Sequence, residues 1–584
     1  MKKMNKTFKR IAIITSASIL AACAMMPMAL NTFAAVNDFT LSAPANLPAD
    51  STISNITAYK IFDCELTNSG AFNVIAWATG VTPESLGFAA GTSAADAAKL
   101  INVDGFDVEA LAKKAATALT SGGIGAASYE NGVVRFTEDL AIGYYVVVCD
   151  VISASGTPYD AKSLGMLTVT GRGSDIQIGT GTAKVGLPTV EKKVQEDQEA
   201  NYNDIANATH ETTDKSWNDV ADYDIGDAVP FKLYGTMPQN LDKYNAYYYC
   251  FKDTLDSQFT APVKSSVVVK IDGHTVTEGN NMRILVDGQN LTVSFEDIKK
   301  AVEGVTVTKD SIVTIEYSAV LNSTAVVGNT GQNNKVKLEY SNNPNFDYKP
   351  SINDDTPDSP GNENTGETPE DIVNVLTYAF KFNKTFFNAA GGPLTPAEVT
   401  EGVYDDARFS LSKGGSELYF LPSTDSAYDY VLAKEGEKVT IGGTEYTATN
   451  RLELTLKDTD LVIRVKGLDE GAYTLKEEVV PTGFNKAPDQ TIEIIAGSKN
   501  GQSWNGTDKT LESFSWTIDG TAAGNQSGNT IDATATAEMQ NRQGTTLPGT
   551  GGIGTTIFYL GGGAMAAIGG VYLISKRRMK KSEE

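Results

Sequence analysis

The chain has only two histidines, His210 and His274, in 584 residues. That leaves histidine-based triads and histidine metal clusters little to work with. Cysteine is nearly as scarce. Cys23 lies in an N-terminal apolar run, so the body keeps Cys64, Cys149 and Cys250. An odd number supports no disulfide framework. Cys64 and Cys149 could pair, but small buried hydrophobes are the better reading. Helical period is rare: 94–101 and 108–119 are the best candidates, with a short one at 295–302. No glycine-rich phosphate loop follows a strand, and no motif marks a carboxylate-pair glycosidase. Basic residues are few, 48 Lys and Arg against 72 Asp and Glu, for a net charge of −24. Both termini are basic, so the body is more acidic still, which argues against a nucleic-acid partner. No enzyme activity, cofactor or metal is expected.

What the body does have is strands. Gly, Asn, Thr and Asp clusters break it into short stretches, many alternating apolar and polar residues. Examples are 375–382, 452–465 and 265–271. The fold class expected is mostly β, in serial immunoglobulin-like sandwiches. Residues 174–188 and 342–370 are rich in turn-forming residues and read as boundaries. The expected domains are 36–185, 186–350 and 372–544, with 351–371 as a linker. No short-period repeat is present.

The two ends are processing segments. Lys2, Lys3, Lys6, Lys9 and Arg10 precede an apolar run from Ile11, and small residues close it at Ala34 and Ala35. Residues 1–35 therefore read as a secretory leader. A rival reading takes Leu20-Ala-Ala-Cys23 as a lipobox. At the other end stands Leu547-Pro548-Gly549-Thr550-Gly551. Then come 23 uncharged residues, 553–575, and the basic run Lys576–Lys581. The apolar stretch is long enough to cross a bilayer as a helix, with the basic run left inside. The pentapeptide resembles the LPxTG sorting signal of Gram-positive surface proteins, which sortase cuts between Thr and Gly. By that resemblance Thr550 is an acyl donor, 547–584 is the sorting signal with its membrane segment and tail, and the mature chain ends on peptidoglycan.

Three strands of the third domain carry an unusual inward row. Tyr378, Phe380, Phe382 and Lys384 share one face, as do Ala533, Ala535, Ala537, Met539 and Asn541, and as do Tyr473, Leu475 and Glu477. The rows end in an amine, an amide and a carboxyl, which would be expensive to bury unpaired. Desolvation favours a neutral amine and a protonated acid. Lys384 could then attack the Asn541 amide while Glu477 polarises its carbonyl. Ammonia would leave, and an isopeptide bond would remain without an external catalyst. Tyr473-Thr-Leu-Lys-Glu-Glu-Val-Val-Pro-Thr-Gly-Phe484 resembles the E-box of Gram-positive pilins, YxLxExxxPxGY, with Phe for the last Tyr. The resemblance puts the family's catalytic acid on Glu477 and its bond on Lys384 and Asn541, in a collagen-adhesin B-type domain.

The second domain repeats the pattern. Val190, Lys192 and Val194 are in phase, as are Tyr247, Tyr249, Phe251 and Asp253, and Val336, Leu338, Tyr340 and Asn342. This is similar to the collagen-adhesin A-type domain of backbone pilins. It implies Lys192 and Asn342 as crosslink partners and Asp253 as the assisting acid, with Lys193, Asn343 and Asn334 as near alternatives. The first domain resembles the pilins' N-terminal domain, and no bond is expected there. Pilus assembly needs an acceptor lysine, and Lys184 holds the family's position, with Thr182-Ala183 in place of Tyr-Pro. The chain as a whole resembles the backbone subunit of a sortase-assembled pilus. The implied partners are sortases, identical subunits joined head to tail, minor tip and base pilins, and peptidoglycan, on the cell surface. The competing reading is a monomeric wall-anchored adhesin that binds a host or dietary ligand.

Overall fold

The computed structural model describes most of residues 38–544 and a few positions beyond. The leader, Lys184, 199–213, 351–357, the sorting pentapeptide and most of 553–575 lie outside the described residues. Among the described residues, no helix is long and apolar enough to cross a membrane.

The architecture is mostly β. In the N-terminal unit the long strand Ser51–Leu66 pairs antiparallel with Gly143–Ser153 inside a nine-stranded sheet. Both expected helices form, as Ala94–Ile101 and Val108–Ala118. Each starts on a side-chain cap: Asp96 N donates to Ser93 Oγ at 3.1 Å, and Ala110 N donates to Asp107 Oδ1 at 2.9 Å. Their apolar faces bury Ala97, Ile101, Leu111 and Ala115 against Phe62 and Tyr144, in a small core of their own. The third candidate helix, 295–302, is only a 3-10 turn at Ile298–Lys300. Phe295 still belongs to the preceding strand, and the Asp297 side chain caps the turn by accepting from Lys299 N.

The middle sandwich has two sheets. One carries Val190–Gln195, Ala228–Thr236 and Ile312–Val320 side by side. The other carries Asp371–Leu376, Gln332–Ser341 and Tyr249–Leu255. Strict alternation along Ile312–Val320 and Gln332–Ser341 turns every second side chain into the core, as a two-layer sandwich requires.

The C-terminal sandwich begins at Tyr378–Phe387. This strand pairs antiparallel with Val462–Leu468 and parallel with the last strand, Thr534–Arg542. Gly471–Val479 lies in the opposing sheet, between Arg408–Lys413 and Gln490–Ser498. Three cysteines, Cys64, Cys149 and Cys250, are buried and free.

The stretch 375–382, expected as one strand, is two. Asp371–Leu376 belongs to the middle sandwich and Tyr378–Phe387 to the C-terminal one. The chain turns over at buried Thr377, whose hydroxyl donates to Leu468 O at 3.2 Å. The expected linker is therefore partly structural. Thr365–Glu367 and Asp371–Leu376 both pair with Gln332–Ser341, because Val373, Val375 and Leu376 need the core of the middle sandwich.

Candidate crosslinking sites

The C-terminal site lies where three inward rows converge. Lys384, Glu477 and Asn541 are at most 2% exposed. Register sets Lys384 beside Met539 and Phe386 beside Asn541 on adjacent parallel strands, while Glu477 comes across from the facing sheet. Lys384 Nζ lies 3.0 Å from Glu477 Oε1. Asn541 Nδ2 donates to Glu477 Oε2 at 2.9 Å and to Asn485 O at 2.5 Å. Ala487 N also donates to Oε2, at 2.7 Å. One carboxyl thus holds the amine with one oxygen and the amide with the other. Phe386 and Phe409 wall off the amine, their ring centres 5.8 and 5.3 Å from Nζ. Burial pushes the Lys384 amine down to about 8, against the pull of Glu477. A neutral fraction is therefore available near neutral pH. Glu478, next in sequence, points the other way and accepts from Ser410 Oγ at 2.7 Å. Phe484, the last E-box position, packs on Phe386 with ring centres 4.8 Å apart.

The middle site differs from its expected form. Lys192 Nζ and Asp253 Oδ2 are 2.6 Å apart, with both side chains fully buried. The asparagine beside them is Asn334, not Asn342. Tyr317 links the set: its hydroxyl donates to Asp253 Oδ2 at 2.7 Å and accepts from Asn334 Nδ2 at 2.8 Å and Lys192 Nζ at 3.2 Å. Asn342 shares the phase of Asn334 but sits eight positions on, beyond the far end of the Gln332–Ser341 strand. There its Nδ2 donates to Thr365 O at 2.8 Å and its backbone carbonyl accepts from Lys162 N at 2.7 Å. It is a hook to the N-terminal unit. Asn343 likewise stays away, donating to Asn364 Oδ1 at 2.9 Å. Burial lowers the Lys192 pKa, with Asp253 opposing, and burial raises that of Asp253. Phe231 stands 5.3 Å from Nζ to its ring centre.

Lys193 shows why neighbouring lysines are not equivalent. It faces away from the core, with Asp219 at 2.5 Å and Glu191 at 3.1 Å. Burial alone would lower its pKa, but the two carboxylates outweigh it and the net shift is upward. Lys193 is a held ammonium, whereas Lys192 is pushed toward a free amine.

Tyr317 escaped the sequence reading. Its signal was available, since Val313, Ile315, Tyr317 and Ala319 form an inward row with a hydroxyl in it. Lys184 and Leu547, Pro548, Gly549, Thr550 and Gly551 lie outside the described residues. Their neighbourhood is partly visible: Ala183, Val185 and Leu187 are buried, and a side chain on Gly186 would come within 2.5 Å of Gln239 N. That close approach requires glycine.

Residues 225–344 match a family model described as Gram-positive pilin backbone subunit 2, Cna-B-like domain. The match takes in Asp253, Tyr317 and Asn334. Its description differs from the A-type assignment expected for this segment. Residues 540–583 match the LPXTG cell wall anchor motif. A curated relative is the trypsin-resistant surface T6 protein of Streptococcus pyogenes serotype M6, 28% identical over 283 residues, covering 45% of this chain and 48% of the relative. The chain thus spans about half the length of the curated relative it matches. Among solved structures, the T6 backbone pilin of serotype M6 Streptococcus pyogenes aligns over 88% of this chain and 100% of its own, with 17% identity and a TM-score of 0.48. The major pilin SpaA of Corynebacterium diphtheriae aligns over 87% and 100%, with 13% identity and a TM-score of 0.42. Residues 225–344 thus resemble a Cna-B-like domain of Gram-positive pilin backbone subunits, and residues 540–583 carry an LPXTG cell-wall anchor motif.

Proposed function

We propose that this chain is the shaft subunit of a covalent pilus, exported by its leader, polymerised and wall-anchored by sortases, and stiffened by two self-made amide bonds. The observation that carries the reading is the buried Lys384, Glu477 and Asn541 set. Lys384 Nζ attacks Asn541 Cγ. The Nζ–Cγ bond forms and the Cγ–Nδ2 bond breaks. Glu477, in contact with both nitrogens, relays a proton from the attacking amine to the leaving one, and ammonia departs. Lys192 Nζ attacks Asn334 Cγ with the same balance, the proton passing from the amine to Asp253 and through the Tyr317 hydroxyl to the departing Asn334 nitrogen. No cofactor enters either step. The role is structural and not enzymatic, since each site acts once on its own chain.

Assembly rests on Thr550 as acyl donor and Lys184 as acceptor, so subunits stack head to tail as an open filament. Residues 553–575 hold the precursor in the membrane until sortase cuts it. Minor tip and base pilins and peptidoglycan complete the partner set. The test is a denaturing gel of cell wall from cells that carry the partner sortase. Wild type should give high-mass ladders, and mass spectrometry should find a branched peptide joining Thr550 to Lys184. Lys184→Ala should leave anchored monomer, and loss of 547–551 should release protein to the medium. A single band from wild type would return the chain to the monomeric-adhesin reading.

A further inference from the structure

The middle and C-terminal sandwiches meet through hydrogen bonds. Ile225 N donates to Gly467 O at 2.9 Å. Asp469 N donates to Asp224 Oδ1 at 2.7 Å. Inside this joint sit Glu196 and Asp222 from the middle sandwich and Asp469 and Glu470 from the C-terminal one, at 0, 1, 3 and 8% exposure. Among the described residues the cation in contact with Asp469 is Lys413, 3.0 Å from it and 3.3 Å from Asp224. It faces one edge of the cluster. Glu470 is occupied by Ala496 N, at 3.1 Å. Glu196 Oε1 accepts from Gln198 N at 3.0 Å and Asp469 Oδ2 accepts from Gln198 Nε2 at 3.2 Å, but among the described residues no hydrogen-bond partner meets Glu196 Oε2 or Asp222 Oδ2. What stands beside them is acid. Asp469 and the Tyr378 hydroxyl face Asp222, and Asp197 faces Glu196. Two carboxyls can share a contact only if one carries a proton. Among the described residues Tyr223, Tyr473 and Asp227 also face the cluster, and Asp227 is paired with the Lys434 ammonium at 2.5 Å. Among the described residues no group of three acids, cysteines or histidines is arranged to hold a metal ion.

We propose that this joint is a proton-operated coupling, in which protons held by Glu196, Asp222 and Asp469 weld the two sandwiches in mildly acidic surroundings and their loss in alkali drives the sandwiches apart. Burial, then the neighbouring carboxyls, lift Glu196 to about 8 and raise Asp222 and Asp469 well above their ordinary value. These folded-state values exceed the unfolded ones. The joint is therefore at full strength below the usual carboxyl range and weakens as pH climbs toward and through about 8.

Hydrogen exchange on the mature chain reads this directly, once corrected for the pH dependence of intrinsic exchange. Protection of the Ile225 and Asp469 amides should fall about tenfold or more between pH 5.5 and 8.5, one proton counting tenfold per pH unit across its titration. The Lys384 amide, deep in one sandwich, should hold its protection. Glu196→Gln with Asp222→Asn should flatten the profile and keep both amides protected at pH 8.5. An unchanged profile in that variant would overturn the proposal, as would joint amides that loosen on acidification. A joint that tightens at pH 8.5 on adding calcium alone, with no response to pH, would also overturn it, since a cation and not a proton would then be the coupling agent. Should the double variant misfold, Asp222→Asn alone decides, by the same readout.

Discussion

The two candidate sites use one chemistry on two different scaffolds. In the C-terminal sandwich the amine and amide are on neighbouring parallel strands of one sheet, and the acid reaches over from the facing sheet. In the middle sandwich the amine and the bridging tyrosine are on one sheet, and the acid and amide are on the other. The proposed Lys384–Asn541 bond would tie first strand to last. The proposed Lys192–Asn334 bond would staple sheet to sheet. Tension entering at Tyr378 would cross at once to Asn541 and leave, bypassing nearly the whole sandwich. Tension entering at Lys192 would cross to Asn334 and still run along 334–376. The C-terminal unit is the stiffer link by construction, and the middle unit depends more on its hydrogen-bonded ladder.

The largest effect that would break this comparison is loss of the C-terminal bond. Lys384→Ala removes a constraint on a loop of about 150 residues, which by analogy with disulfides is worth about 5 kcal/mol. It also leaves Glu477 and Asn541 buried with one partner fewer. The melting transition of the C-terminal sandwich should drop by roughly 10–20 °C, and trypsin should cut it at temperatures where wild type resists. The middle sandwich should fall much less. Equal losses in both would mean that they melt as one unit and cannot be compared separately.

The next effect concerns the identity of the middle amide. Intact mass of the mature chain should fall short of the sequence mass by two ammonia molecules. Asn334→Ala should restore one and Asn342→Ala should restore none. The reverse result would return Asn342 to the site and shorten the load-bearing tail of the middle sandwich.

How far the sequence could carry this follows from the same pair. The C-terminal site was legible because Lys384, Glu477 and Asn541 each put a polar group in phase with an apolar inward row, and the E-box string fixes which glutamate faces in. The two helices were legible from period and caps. The middle site was only half legible. Asn334 and Asn342 share a strand and a phase, so alternation cannot separate them. What separates them is cross-strand register, with Asn334 opposite Leu255 and Val336 opposite Asp253, and register depends on pairing over some eighty residues. The end of the middle sandwich was hidden for a related reason. Residues 371–376 and 378–387 are both strand-like, and only the turn at Thr377 assigns them to different sheets. The buried acids of the joint look like ordinary surface charge in sequence, because their burial comes from a second sandwich closing over them.

A smaller effect would sharpen the role of Tyr317, which has no counterpart in the C-terminal site. Tyr317→Phe leaves the ring against Phe231 and deletes the hydroxyl that joins Lys192, Asp253 and Asn334. The middle bond should still form, but about a hundredfold more slowly, the low end of what a positioned proton-transfer group contributes. Mass measured at intervals after refolding would show the C-terminal ammonia leaving on schedule and the middle one late. If both leave together, the hydroxyl is a packing feature and the acid suffices alone, as Glu477 does.

The smallest effect is a slope in pH. In Asn541→Ala the Lys384 amine has nothing to attack and remains titratable. Its folded value is depressed to about 8 from 10.5. Below 8 both folded and unfolded chains hold the proton, and the folded state bears the whole cost of a buried ammonium. Between 8 and 10.5 the unfolded chain holds the proton and the folded one does not, so stability rises with pH across that window. One proton sets the ceiling, about 1.4 kcal/mol per pH unit. Other groups titrate there too, buried tyrosines among them, so the slope is read as a difference between Asn541→Ala and the double variant Lys384→Ala with Asn541→Ala. Urea midpoints at pH 7.5, 8.5 and 9.5 should diverge steadily, the single variant gaining on the double. Wild type should show no such gain, because an amide nitrogen has no proton to lose in this range. Parallel curves for the two variants would mean that the Lys384 amine titrates like an exposed one, and the C-terminal site would then lack the neutral nucleophile on which its proposed bond depends.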